Sequence, residues 1–224
     1  MNFLTKIIFH FKEIKVILVT GKGRNYTSEA IWQVLSPRFK VQKIVEKTPN
    51  IFNILTSKFF IIETDLKNQK VFKNIVNLIK FSQLPILVAT HIGDINSDSF
   101  EGEKKEAAEI YEIAQLMPPY GFLILNYDDK VIRGIDDVTN IKNFTFGFGE
   151  KADFRVSDVH TNTGTNFKIN YKGKIIPIWQ ENLSGKEYIY SAIATSCVGI
   201  LLGLNFVEIS EALKYCKPYS DKIE

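Results

Sequence analysis

Eight residues, Gly21-Lys22-Gly23-Arg24-Asn25-Tyr26-Thr27-Ser28, lie between the apolar run Lys15 to Thr20 (KVILVT) and a segment of helical spacing. A phosphate loop belongs in such a strand–glycine–helix turn, because backbone N–H groups and the helix N-terminus point at one spot. Gly21, Gly23, Arg24, Asn25, Tyr26 and Thr27 are the residues placed to meet a phosphate. Magnesium-assisted phosphate chemistry asks for two more groups, a lysine directly after the last glycine and a hydroxyl beside it. Arg24 and Asn25 stand at those places, and Lys22 precedes Gly23 instead of following it. The competing reading is scaffolding, since the same turn recurs in folds that bind nothing there.

Glu63 closes a second apolar run, FFIIE, and a carboxylate at a strand's carboxyl end can ligate a cation. It reads equally as a solvated strand-end acid. Asp94, Asp98 and the pair Asp128-Asp129 have the pattern of turn formers. His10, His91 and His160 are not at metal-ligand spacing. Cys197 lies on an apolar helical face and reads as core.

Elements that would position these residues alternate between strand and helix, the mark of a mostly parallel sheet with crossover helices. Strands are predicted at Lys15 to Thr20, Phe39 to Val45, Phe59 to Glu63, Pro85 to Thr90 and Gly121 to Asn126. Helices are predicted at Thr27 to Leu35, Gln69 to Ile79 and Glu101 to Met117. From Phe144 the texture changes, and Phe154 to Val159, Thr165 to Tyr171 and Lys174 to Ile178 read as antiparallel strands. Two helices follow, Glu187 to Leu202 and Val207 to Lys214. Ahead of the first strand, Phe3, Leu4, Ile7, Ile8, Phe11 and Ile14 make an apolar helical stripe with Lys6, Lys12 and Glu13 mostly opposite. That stripe reads either as a helix packed on its own domain or as a membrane-surface or partner-binding helix.

A chain of 224 residues with 45% hydrophobic and 24% charged residues can bury a core without disulfides or a structural metal. Twenty-eight basic against 25 acidic residues give a formal charge of only +3, which argues against a nucleic-acid partner. Two cysteines fit a reducing cytoplasm.

The stretch from Thr90 to Asp129, THIGDINSDSFEGEKKEAAEIYEIAQLMPPYGFLILNYDD, resembles the Mur ligase family without a gap. That family carries T-N-I-G-x-A-H-L-E-x-F-G, a helix with a lysine and E-I, then L-P-x-x-G and L-N-x-D-D. Thr90, Ile92, Gly93, Phe100, Glu112, Ile113, Pro118, Gly121, Leu125, Asn126, Asp128 and Asp129 fall in register. Thr20-Gly21 with Gly23 resembles the family's phosphate loop shortened by one residue. Glu63 resembles its metal-binding glutamate, and FTFGFGEKAD (Phe144 to Asp153) its F-G…A-D passage. The resemblance covers the central ATPase-type domain and is greatest to the ligase that adds D-alanyl-D-alanine to a UDP-N-acetylmuramoyl tripeptide.

The resemblance implies ATP and Mg²⁺ as cofactors and amide ligation through an acyl phosphate. At the family's working positions, however, this chain differs. Arg24 stands for the loop lysine, Asn25 for the magnesium hydroxyl, Asn96 for a metal histidine and Ile110 for the carbamylated lysine. Glu187, Tyr188 and Ser191 replace a histidine and two asparagines. The expectation is therefore an α/β domain over residues 15–216, a P-loop-type mostly parallel sheet with a small antiparallel sheet. It is preceded by an amphipathic helix over 1–14 and followed by a tail over 217–224, where a third ligase domain would begin. Expected function is binding by a catalytically degenerate domain, with an active or split ATP-dependent amide ligase subunit as the alternative. Expected partners are an intact Mur ligase or a separate substrate domain, with a peripheral membrane contact through residues 3–14, in the cytoplasm.

Overall fold

A computed structural model describes residues 12–66, 69–92 and 100–217. In chain order the elements are β1 (Lys15–Thr20), α1 (Arg24–Leu35), β2 (Val41–Val45), α2 (Ile51–Thr56), β3 (Phe59–Glu63), α3 (Gln69–Phe81) and β4 (Leu84–Ala89). There follow α4 (Phe100–Leu116), β5 (Phe122–Asn126), α5 (Lys130–Arg133), β6 (Lys142–Gly147), β7 (Phe154–Thr161), β8 (Gly164–Tyr171), β9 (Lys174–Glu181), α6 (Lys186–Leu201) and α7 (Phe206–Lys214).

The strands form one sheet in the order β2-β3-β1-β4-β5-β6-β7-β8-β9. Pairing is parallel from β2 through β7 and antiparallel from β7 to β9. The antiparallel part is thus a continuation of the main sheet, joined through the pairs Phe146–Phe154 and Gly147–Arg155. Alternation along β1 shows why its sequence is apolar throughout. Ile17 and Val19 face a core shared with Ile31 and Leu35 of α1, Ile193 of α6 and Leu213 of α7. Val16 and Leu18 face a second core with Ile75 and Leu78 of α3 and Ile110 and Ile113 of α4. Both faces are covered, so β1, β3, β4 and β5 are dry along nearly their whole length.

Several boundaries move. The helix after the loop begins at Arg24, three residues before its sequence-predicted start, so Arg24, Asn25 and Tyr26 form its first turn. β6 and the short α2 escape the periodicity reading. β6 is six residues long and its burial rises only over its last three, and α2 spans under two turns. The α2 signal is its cap: Asn50 Oδ1 accepts from Asn53 N while Asn53 Oδ1 accepts from Asn50 N. The N-terminal helix reading lies outside the described residues up to residue 11. Its last residues do not extend it, because Lys12 and Glu13 form a turn and Glu13 has φ 53°. Ile14 is fully buried and Lys12 Nζ donates to the carbonyl of Ile54, so this turn packs on the domain. No helix among the described residues is long and apolar enough to cross a membrane.

Candidate functional site

Loops following β1, β4 and β5 converge at the carboxyl end of the sheet, where strand order reverses: from β1 the chain runs out to β2 and back through β3 on one side, then crosses to β4 on the other. Ligands of open α/β sheets bind at such switch points. A cavity of about 440 Å³ opens there, lined by Lys22, Gly23, Thr27, Thr90, His91, Asn126, Asp128, Lys186, Glu187 and Tyr190.

Its floor is the glycine loop. Gly21 has φ +97°, and a Cβ there would lie 2.7 Å from the His91 carbonyl oxygen and from Thr90 Oγ1, so only glycine fits. Thr90 Oγ1 is shared between the carbonyls of Thr20 (2.9 Å) and Lys22 (2.7 Å), and Lys22 N donates to His91 O. These bonds pin the loop after β1 to the loop after β4. Gly23, at φ 80°, is the N-cap of α1 and supplies no side chain to it. No side chain caps α1: Arg24 N donates to the carbonyl of Gly21 and Thr27 N to that of Gly23. α6 arrives beside it with an equally bare cap, Gly185. Thr27 Oγ1 donates to Gly23 O and lies 3.2 Å from Ser191 Oγ, which ties the two helices together. Tyr26 meets Tyr188 edge-on, with ring centroids 5.1 Å apart.

The carboxylates of Asp128 and Asp129 are committed to protein donors. Asp129 is 5% exposed; Oδ2 accepts from Ile92 N and lies 2.8 Å from His91 Nδ1, while Oδ1 caps α5 by accepting from Val131 N and Ile132 N. Burial alone would raise the Asp129 carboxyl, but the bonds from His91, Ile92 and Ile132 and the His91 charge outweigh it and hold it below the ordinary range. Asp128 Oδ2 accepts from Phe148 N and Tyr190 Oη, and Oδ1 accepts from Gly149 N. Burial, and then the bond to Asp128, push the Tyr190 hydroxyl above the ordinary tyrosine range. Replacing Tyr190 with phenylalanine is expected to cost about 1 kcal/mol in urea unfolding, since two backbone donors still satisfy Asp128.

Glu63 is 4% exposed and its Oε2 accepts from Ser28 Oγ at 2.5 Å. Arg24 does not line the cavity. Its Nη2 reaches Glu46 Oε1 at 3.4 Å and its Nη1 reaches Gly21 O at 3.4 Å. Glu46 in turn accepts from Thr64 Oγ1 and Asp65 N. Ile110 is fully buried in the apolar core between α4 and the sheet. No three His, Cys, Asp or Glu side chains are grouped to hold a metal ion among the described residues. Magnesium prefers oxygen ligands in near-octahedral order. The hydroxyl of Ser28 caps Glu63, an amide occupies position 25 and an alkyl group position 110, so the described donor set does not fit that ion.

Of the loop residues named from sequence, Gly23 and Thr27 line the cavity and Gly21 shapes its floor. Arg24 and Tyr26 are turned to Glu46 and Tyr188. Asp94, Asn96 and Asp98 lie outside the described residues. Sequence reasoning missed Lys186 and Tyr190 as cavity walls, although both adjoin the compared residues Glu187, Tyr188 and Ser191. It also read Asp128 and Asp129 as turn formers, whereas both are anchors of the site's walls.

Residues 15–199 match the Mur ligase middle domain. The UDP-N-acetylmuramate–L-alanine ligase of Caldicellulosiruptor bescii is 25% identical over all of this chain and 49% of its own length. The corresponding ligase of Dictyoglomus turgidum is 26% identical over 91% of this chain and 44% of its own. Among solved structures, the UDP-N-acetylmuramoylalanyl-D-glutamyl-2,6-diaminopimelate–D-alanyl-D-alanyl ligase of Acinetobacter baumannii superposes with a TM-score of 0.76 over 96% of this chain and 49% of that one, at 17% identity. MurF ligase from Thermotoga maritima in complex with ADP gives 0.67 over 94% and 52%, at 15% identity. The fold is that of the Mur ligase central domain, and the chain belongs to the Mur ligase middle-domain family. It spans about half the length of the curated relatives it matches. Sequence relatives named for L-alanine and fold neighbours named for D-alanyl-D-alanine meet at the level of the Mur ligase family.

Proposed function

We propose that this is a Mur-ligase-type middle domain that no longer supports ADP-forming ligation and works by binding, alongside an intact ligase or a separate substrate domain. One observation carries the reading: the groups a metal-assisted ligase would spend on phosphate and magnesium are spent here on one another. Ser28 fills Glu63, Glu46 holds Arg24, and Ile110 belongs to the core. Losing one preorganised electrostatic group costs a catalyst about 10²- to 10³-fold, and three are gone at once. The alternative, an active subunit of a split amide ligase, draws on the preserved cavity with Lys22 and Lys186 in its wall.

Calorimetric titration with ATP and Mg²⁺, paired with an assay of ADP formation, separates the two. The expected dissociation constant is weaker than about 10 μM, roughly −7 kcal/mol, with no ADP formed above the protein-free rate. Tighter, magnesium-dependent binding with ADP release would establish the split enzyme instead.

A further inference from the structure

The end of the sheet away from the cavity gathers cations and bare apolar side chains. Val41 of β2 and Lys15 of β1 both pair with Phe59 of β3, and Lys15 also pairs with Leu84 of β4, so these strands begin level with one another. Lys15 opens β1, while Lys40 and Lys58 immediately precede β2 and β3. Lys80 ends α3 at the same edge, since Ser82, two residues on, donates to the carbonyl of Ile14 at 3.1 Å. Lys12 joins them beside α2, where its Nζ reaches the carbonyl of Ile54. Lys40, Lys58 and Lys80 are exposed and have no ion pair among the described residues. Glu13 lies in the same segment as Lys12, and the flanking Arg38–Glu208 pair closes on itself at 3.1 Å. Among these cations α2 holds Phe52 and Leu55, three residues apart and so on one helix face, 75% and 51% exposed. Tyr120, ahead of β5 on this edge, is 54% exposed with its hydroxyl on the Lys80 carbonyl.

We propose that the amino edge of β2, β3, β1 and β4, together with α2, is a docking surface for an anionic lipid bilayer. Exposed apolar residues standing singly are ordinary. Here they stand among unpaired ammonium groups, and that combination selects the occupant by charge. A nucleic acid would use the lysines and leave Phe52 and Leu55 in water. A neutral protein groove would use the apolar pair and leave the lysines unanswered. A bilayer with acidic headgroups uses both, taking apolar tips at the acyl boundary and ammonium groups at the phosphates. Tyr120 fits the same level, because tyrosine rings collect at membrane–water interfaces. The apolar stripe read from the sequence at Phe3, Leu4, Ile7 and Ile8 leads into this surface at Lys12. The cavity opens at the opposite, carboxyl end of the sheet, so a docked domain leaves it open to solvent. The surface is therefore independent of what the cavity binds.

The experiment sediments the full chain with vesicles of phosphatidylglycerol and phosphatidylcholine in equal parts and, separately, of phosphatidylcholine alone. Binding is expected to the anionic vesicles only, and to weaken as salt screens the lysines. Lys40→Gln with Lys58→Gln and Lys80→Gln should weaken it about 100-fold, and Phe52→Ser with Leu55→Ser about tenfold. All five side chains are exposed, and melting curves verify folding. A polarity-sensitive dye supplies a second readout. Placed on Phe52→Cys it should shift to the blue on anionic vesicles; on Lys151→Cys, beyond the carboxyl end of β6, it should not move. Cys197 and Cys216 are buried and stay unlabelled. Equal binding to both vesicles, binding to neither, or a shift of both labels overturns the proposal. Loss of binding in Phe3→Ser with Ile7→Ser, while the edge variants bind as wild type, assigns the contact to the first residues alone and overturns it too. So does a dimer in light scattering that Phe52→Ser with Leu55→Ser dissociates in a chain that ignores vesicles, which gives the patch to a second copy.

Discussion

Replacing Ile110 with lysine is expected to destabilise the domain by about 4 kcal/mol, because it places a charge in an apolar core. The substitution restores the residue type that the family resemblance places there. Ile110 has no exposed surface and lies in the core with Ile92, Ile113 and Leu125. A lysine in that setting gives up its proton or unfolds the site. For a domain of this size the melting temperature should fall by about 8–16 °C at neutral pH. The unfolded chain then holds the proton that the folded one resists, so the deficit should shrink as pH rises toward 10. Ile110→Met, which conserves volume, should cost under about 1.5 kcal/mol. A lysine variant melting within 2 °C or so of wild type would mean that position 110 opens onto the cavity, and the argument for a dead metal site would fail.

Asp129→Ala is expected to cost about 3 kcal/mol. Part is the cap of α5, worth about 1 kcal/mol. The remainder is the Ile92 N–H, which donates to Asp129 at 2.8 Å and is left buried with nothing to accept it. The same carboxylate supplies a pH signature. Its folded pKa lies below the unfolded one, so the stabilisation is fully present above about pH 5 and is lost as pH falls through the folded value. Melting curves of the two proteins should therefore be far apart at pH 7 and converge on acidification below about pH 4. A gap that stays constant down to pH 3 would show that Asp129 acts through shape alone.

The central strands were legible because a parallel strand covered on both faces has no room for polar residues. KVILVT, FFIIE and GFLILN announce themselves, and β1, β3 and β5 lie within a residue of the predicted spans. The strand–glycine–helix turn was legible for the same local reason. What local pattern could not carry was pairing between distant residues. Ser28 meets Glu63 and Arg24 meets Glu46 only because β3 and β2 lie next to β1 and α1 in the fold. Asp128 and Tyr190 are 62 residues apart in the chain. Acidic residues at strand ends look alike in sequence whether water or a backbone amide satisfies them. Asp129 illustrates the point, reading as a turn former while serving as cap, tether and histidine partner.

Among the described residues the sheet ends on two edge strands, β2 and β9, and each presents backbone groups that another chain could recruit. Different residues guard the two. On β9, Pro177 stands in the middle of the strand opposite Lys168, so a row of donors there is broken by a residue that has none. On β2, the strand is only five residues long and exposed lysines, Lys40 and Lys47, bracket it. Charge at the ends of a short apolar strand acts as a gatekeeper against stacking. A nine-stranded sheet built largely from β-branched and aromatic residues is otherwise good material for fibrils. One proline and two lysines stand against that stacking at the two edges.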